Sequence, residues 1–104
     1  MSDLPVYMVV NLQVTDADKY RLYENGFFGI LKKHGGEFIT FDDNSVTLEG
    51  SKPPEGRMII FKFPSEEAAQ TWFDDPEYQA LSEHRRAGTT LNFLQMVHSL
   101  PPRK

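Results

Sequence analysis

Residues Gly56 to Arg86 read GRMIIFKFPSEEAAQTWFDDPEYQALSEHRR, and this stretch decides the fold. Arg57 to Phe63 has a continuous apolar centre, Met58-Ile59-Ile60-Phe61, which predicts a buried strand. Pro64 ends the strand, and Ser65 is placed to cap a helix whose first turn, Glu66 and Glu67, suits the positive end of the helix dipole. Ala69, Trp72 and Phe73 form the buried side of that helix. Asp75-Pro76 then restarts the chain as cap and first residue of another helix. Tyr78, Leu81 and Arg85 share one face of it, and Gly88 stops it.

Upstream, Pro5 to Val14 alternates as a strand. Val6, Met8, Val10, Leu12 and Val14 make a purely apolar face that should meet helices, and Tyr7, Val9, Asn11 and Gln13 make an amphipathic one. Thr15-Asp16-Ala17-Asp18 has the form of a capping box, with the Thr15 hydroxyl as cap, and starts a helix running toward Lys33. Tyr20, Tyr23, Phe27, Ile30 or Leu31, and His34 recur along it at helical spacing. Gly26 and Gly29 inside this pattern either let a neighbour approach closely or break the helix, and Gly35-Gly36 stops it. Glu37 to Phe41 is a second strand, Asp42 to Ser45 a polar turn, and Val46 to Leu48 a short return or edge strand. Gly50 to Gly56 is a loop, because Pro53-Pro54 removes two donors. Thr90 to Ser99 is the last strand, followed by a frayed tail, Pro101 to Lys104.

The order strand, helix, strand, strand, helix, strand is the ferredoxin-like β-α-β-β-α-β arrangement, an α+β sandwich with helices on one face of an antiparallel sheet. Its other face is open. With Ile59, Phe61 and Phe63 assigned there, that face is costly to leave wet, and pairing two sheets in a homodimer, a dimeric α/β barrel, is the simplest remedy. Residues 1–104 are one domain by length.

Composition narrows the function classes. A net charge of −4 and the lack of a basic stripe argue against nucleic acid and anionic membrane surfaces as partners. Zero cysteines exclude disulfides, thiolate zinc sites and a cysteine nucleophile, and suit the cytoplasm. The N-terminal MSDLPVYMVV has neither the basic flank nor the cleavage site of a secretion signal, and no apolar run has membrane-spanning length.

Phe63-Pro64-Ser65, Ala68-Ala69, Trp72-Phe73, Pro76-Glu77-Tyr78 and Leu81 through Arg85 together resemble the domain-of-unknown-function family thirteen-thirty, within the dimeric α/β-barrel superfamily. Asp16 with Tyr20, Gly35-Gly36 and Leu48-Glu49-Gly50 fit the first half of that family. The resemblance covers nearly the whole chain. It implies a ferredoxin-like fold and a two-sheet dimer, and it carries no established catalytic residues. The wider superfamily includes cofactor-independent monooxygenases, haem-degrading enzymes, lactone isomerases and dehydratases, which share a cavity location and no residue motif; transferring their chemistry here is fold analogy alone.

Candidate site residues follow from residue chemistry. His34, His84 and His98 lack metal-ligand spacing, so no metal or cofactor is expected. His34 reads as a helix-end residue favoured by the dipole. His98 is a catalytic candidate if its strand parity turns it into a dimer cavity, and Tyr78 is the other. For Arg85, bidentate binding of a ligand carboxylate or phosphate competes with pairing to Glu77, Asp74 or Asp75, and the pairing leads. Tyr20, Tyr23, Phe27, Trp72, Phe73 and Tyr78 read first as core and second as a wall for a flat ligand. Asn11, Gln13 and Arg57 are the polar groups expected on an inner sheet face, with Asn11 able to orient a substrate carbonyl. Asn11, Arg85, Tyr78 and Trp72 are therefore the expected substrate-binding set. The chain reads as a small-molecule binder for an aromatic or acidic metabolite, with or without cofactor-independent chemistry; the alternative is a non-enzymatic dimeric interaction or regulatory ligand-binding module.

Overall fold

The computed structural model describes residues 4–101; of the expected frayed tail, Pro102 to Lys104 lie outside the described residues. The elements are β1 (Val6–Val14), α1 (Ala17–Lys33), β2 (Glu37–Asp42), β3 (Arg57–Phe63), α2 (Glu66–Asp74), α3 (Pro76–Gly88) and β4 (Thr89–His98). The strands form one sheet in the order β2-β3-β1-β4, with every neighbouring pair antiparallel. This is the ferredoxin-like α+β topology, with its second crossover split into two helices at Asp75-Pro76.

Local chemistry explains most boundaries. The Ser65 side chain accepts the Ala68 N–H at 3.1 Å, and Asp75 accepts the Glu77 N–H at 2.8 Å. Both are side-chain caps on orphan amides. At α1 the cap is Asp16, which accepts the Lys19 N–H at 3.2 Å, and not Thr15. The cause is tertiary: the amides of Thr15 and Asp16 both donate to the Gly88 carbonyl (2.8 and 3.0 Å), which holds Thr15 against the end of α3 and starts the first turn one residue later.

Gly26 does not break α1. A Cβ there would lie 2.9 Å from Leu81 Cδ1, so the glycine lets α3 seat closely on α1. The same packing directs Tyr20, Tyr23, Phe27 and Leu31 into the core, against Val6, Met8, Val10 and Leu12 of β1. Trp72 and Tyr78 are fully buried, with ring centroids 4.1 Å apart. Truncating either of two such aromatics to alanine costs about 3–5 kcal/mol.

Two expectations about the sheet are corrected. Val46 to Leu48 forms no strand; it lies in the long loop between β2 and β3, with Leu48 93% exposed. Val46 to Glu49, between the polar Asp42–Ser45 turn and the Gly50–Gly56 loop, are all exposed, and they bury too little apolar surface to offset the entropy of ordering them into a strand. Second, Ile59, Phe61 and Phe63 face the helices and not the open side. β3 pairs with β1 as Val10↔Ile59, Met8↔Phe61 and Val6↔Phe63, and side chains opposite one another share a face. Arg57 pairs with Leu12 and so also lies on the helix side. The open face carries Tyr7, Val9, Met58, Ile60, Phe93 and Val97 instead.

Candidate functional site

A cavity of about 110 Å³ opens on the helix side of the sheet, where α1 meets β1, β2 and β3. Val10, Leu12, Ile59 and Phe61 form its sheet wall, and Tyr20, Tyr23 and Phe27 its helix wall. Phe38 and Phe41 come from the edge strand. In a regular strand, residues three apart face opposite ways. The register of β2 shifts between Phe38 and Thr40, so Phe38 pairs with Phe61 and Phe41 with Ile59, and both rings reach the pocket side. Half-exposed Phe28 and Phe41 rim the opening (53% and 50%).

Three charged side chains line this apolar space: Glu24, Arg57 and Arg85. Arg57 sits at the mouth, where Gly56 delivers it. Gly56 has φ 89°, and a Cβ there would lie 2.4 Å from the Leu12 carbonyl oxygen, so the chain turns into β3 by a route that a side chain would block. The guanidinium gives three of its five N–H donors to carboxylates. Its Nε and Nη2 donate to the two oxygens of Asp43 (2.7 and 3.1 Å), its Nη1 donates to Glu24 Oε2 (3.1 Å), and it lies 4.4 Å over the Phe41 ring. Hydrogen bonding to Arg57 holds the Asp43 carboxyl below the usual carboxylate range, and the reciprocal bond raises the Arg57 pKa.

Arg85 is different. Only 4% exposed, it lies with its Cζ 5.8 Å from the centroid of the Tyr23 ring. Among the described residues it makes no ion pair, and its Nε is buried without a hydrogen-bond partner. The expected pairing with Glu77, Asp74 or Asp75 is therefore corrected. Lys33 takes Asp75 at 3.0 Å and Glu77 at 3.1 Å, His34 takes Asp75 at 2.7 Å, and Gln70 donates to Asp74 at 3.2 Å. Arg85 lies eight residues beyond Glu77 in α3, about 12 Å of helix rise, and is buried with Tyr78 and Ser82. The neighbouring Arg86 is the paired one, 3.1 Å from Glu83.

The two pocket tyrosines have no free route to ionise. Burial raises the Tyr20 pKa, and burial together with Tyr78 raises that of Tyr23 well above its ordinary value. The Tyr23 and Tyr78 hydroxyls are 2.8 Å apart and hydrogen-bonded to each other. Near neutral pH Tyr20 and Tyr23 therefore stay protonated, and neither is a base.

Of the expected substrate-binding set and the two catalytic candidates, the structure brings only Arg85 into this cavity; Arg57 and the expected aromatics Tyr20, Tyr23 and Phe27 also line it. Tyr78 stands directly behind it, holding Tyr23. Trp72 backs Tyr78 and packs on Phe61 and Phe63 (5.4 and 5.1 Å between centroids), outside the lining. Asn11 is on the other face of the sheet with its amide fully used: it donates to the Glu55 and Arg57 carbonyls (3.0 and 3.2 Å) and accepts from Asn92 (2.9 Å). Gln13, on that same face, donates to Glu55 at 2.9 Å. His98 pairs with Val6, six residues along β1 from Leu12, or about 20 Å at strand rise. It is exposed and 2.7 Å from Glu66. Sequence reading missed Glu24, Phe28, Phe38 and Phe41. For Glu24 and Phe28 the signal existed, since they follow Tyr20 and Tyr23–Phe27 around one side of α1; for the β2 pair it depended on a bulge that composition does not mark.

Comparison with known proteins gives a consistent placement. A protein of unknown function from Rhodopseudomonas palustris (RPA0582) has a similar structure, with TM-score 0.75 at 17% identity over 99% of this chain and 86% of its own. SnoaB, a cofactor-independent oxygenase from Streptomyces nogalater, aligns with TM-score 0.59 at 13% identity, over 99% of this chain and 97% of its own. An uncharacterised NIPSNAP-like domain protein from Burkholderia xenovorans aligns with TM-score 0.60 at 14% identity, over 95% and 84% of the two chains. At these identities the likeness is one of fold. No curated protein sequence is a significant match. The family profile described as "Domain of unknown function (DUF1330)" matches residues 5–98, and the chain belongs to that family.

Proposed function

We propose that the cavity between the sheet and α1 binds a small carboxylic acid with a flat, apolar body. One observation carries this reading: Arg85 is a buried guanidinium without a counter-ion among the described residues, lining an aromatic pocket. Burying a charge without a partner is costly. A ligand carboxylate supplies the missing partner, and arginine's planar fork binds it through two parallel hydrogen bonds. The walls are Tyr20, Tyr23, Phe27 and Phe61, which suit a ring or a conjugated chain. The cavity is smaller than the roughly 150 Å³ space that admits benzene in a dry protein core, so a ligand of that size projects through the Phe28–Phe41 mouth.

In this reading Arg85 is the substrate-binding residue and Tyr78 a positioning residue that fixes Tyr23. With both pocket phenols held neutral and Glu24 tied to Arg57, binding alone is the function the site supports best, as in a regulatory ligand-binding module. The chain acts as one domain in a cytoplasmic homodimer, whose second copy covers the Tyr7, Val9, Met58, Ile60, Phe93 and Val97 face; native mass spectrometry at tens of micromolar should show the dimer.

Calorimetric titration with benzoate and its neutral isostere benzamide tests the pocket. Benzoate binds and benzamide binds at least about tenfold more weakly, a difference of about 1.4 kcal/mol; Arg85→Met abolishes the difference. Equal binding of the two compounds, or an unchanged benzoate preference in the variant, overturns the reading.

A further inference from the structure

We infer that the site selects acids carrying a hydrogen-bond donor at the end remote from the carboxylate, with Glu24 as the residue that selects. This rests on the proposed acid-binding pocket and specifies its ligand class. The charged lining residues are ordered by depth. Arg85 is 4% exposed, whereas the Glu24 side chain is 43% exposed and stands at the mouth. The floor therefore offers an uncompensated cation.

The rim offers the reverse. Two carboxylates, Asp43 and Glu24, surround the single Arg57 guanidinium, leaving one negative charge in excess. Arg57 gives them three of its five N–H donors, and their combined charge exceeds its own, so the rim repels a ligand anion. Glu24 is half-occupied: its Oε2 accepts from Arg57, and its Oε1 makes no hydrogen bond among the described residues. Arg57 thus fixes the Glu24 side chain beside the opening while leaving one charged acceptor free.

A carboxylate entering head-first meets Arg85, and the tail of the same molecule comes to rest beside Glu24 Oε1. A hydroxyl or amino group there donates to a carboxylate, the stronger, charge-assisted kind of hydrogen bond. A methoxy group or second carboxylate meets repulsion or an unpaired acceptor, which is how a site rejects what it does not hold. The ligand class is a planar hydroxy- or amino-substituted monocarboxylic acid, dipolar like the pocket.

The test uses benzoate, 4-hydroxybenzoate and 4-methoxybenzoate against the wild-type chain and Glu24→Ala, with dissociation constants by calorimetry. Glu24 is a partly exposed α1 residue, and alanine favours the helix, so the variant folds; circular dichroism checks that it does. Wild type should bind 4-hydroxybenzoate about tenfold more tightly than benzoate and 4-methoxybenzoate, in proportion to about 1.4 kcal/mol. In Glu24→Ala the hydroxyl preference should be lost, its constants for 4-hydroxybenzoate and benzoate converging to within about threefold. Benzoate binding without that preference, or a preference that survives in Glu24→Ala, overturns this inference and leaves the acid-binding pocket standing. Failure of wild type to bind any of the three overturns both.

Discussion

Removing the Tyr23 and Tyr78 hydroxyls one at a time and then together should give strongly non-additive changes in stability. The two oxygens are 2.8 Å apart, both residues are buried, and among the described residues each hydroxyl has only the other as partner. Phenylalanine keeps the rings, and with them the 4.1 Å Trp72–Tyr78 stack and the 6.1 Å Tyr23–Tyr78 edge contact. Tyr23→Phe therefore removes little packing and leaves the Tyr78 hydroxyl buried and unpaired, at a cost of about 1–3 kcal/mol. Tyr78→Phe does the same to Tyr23. The double variant loses only the net worth of one hydrogen bond, about 0.5–1.5 kcal/mol, because no orphan remains. A double-mutant cycle should thus return a coupling of at least about 1 kcal/mol, and about 3 kcal/mol at the middle of these ranges, with the double variant no less stable than either single. Urea unfolding followed by circular dichroism reads this as midpoint shifts at constant slope. Single-variant losses that add to within about 0.5 kcal/mol would refute the argument, showing that water or another group satisfies the stranded hydroxyl.

Three further outcomes follow from other parts of the molecule. Without ligand, Arg85→Met should unfold at the same urea concentration as wild type or a higher one, a gain of up to about 2 kcal/mol, since it replaces an unpartnered buried cation by an apolar chain; a loss above about 1 kcal/mol would mean that Arg85 has a stabilising partner. Asp75 is held well below the carboxylate range by His34, then Lys33 and the Glu77 amide, so its contribution is complete above its unfolded-state pKa and lost as the pH falls toward its folded one. Melting temperature should accordingly drop more steeply between about pH 5 and pH 2 in wild type than in Asp75→Asn, and parallel curves would count against the assignment. Gly56→Ala should cost more than about 1 kcal/mol, because both its positive φ and the nearby Leu12 carbonyl oppose a Cβ; thermal melts that superimpose would show that the turn relaxes.

The elements of the fold were legible because local chemistry and tertiary packing agree at them. Ser65, Asp75-Pro76 and Gly35-Gly36 end and begin helices for reasons contained within a few residues. The faces of β3 were not legible. Its residues are apolar on both sides, so a run such as Met58-Ile59-Ile60-Phe61 does not say which parity meets the helices; only pairing with β1 does, through Val10↔Ile59. That inversion put Ile59 and Phe61, which line the helix-side cavity, on the open face. Arg85 was recognisable as buried from its spacing to Tyr78 and Leu81. Its lack of a counter-ion was not, because Asp75 and Glu77 are close in sequence and are drawn off by Lys33 and His34 from the end of α1. The Phe38–Phe41 wall depends on a bulge at an edge strand, where a single extra residue redirects the rings.

The alternation of β1 and β3 separates two kinds of change. Val10 and Ile59 belong to the cavity wall, while their chain neighbours Val9 and Ile60 belong to the open face. A substitution at one parity reshapes what the cavity admits and leaves the opposite surface as it was; a substitution one residue along does the reverse. The proposed ligand preference and the proposed self-association can therefore drift independently among descendants of this sequence, even though both faces are written into the same two strands. A designer gains the same freedom: the cavity of one copy can be recut while its outer surface stays untouched.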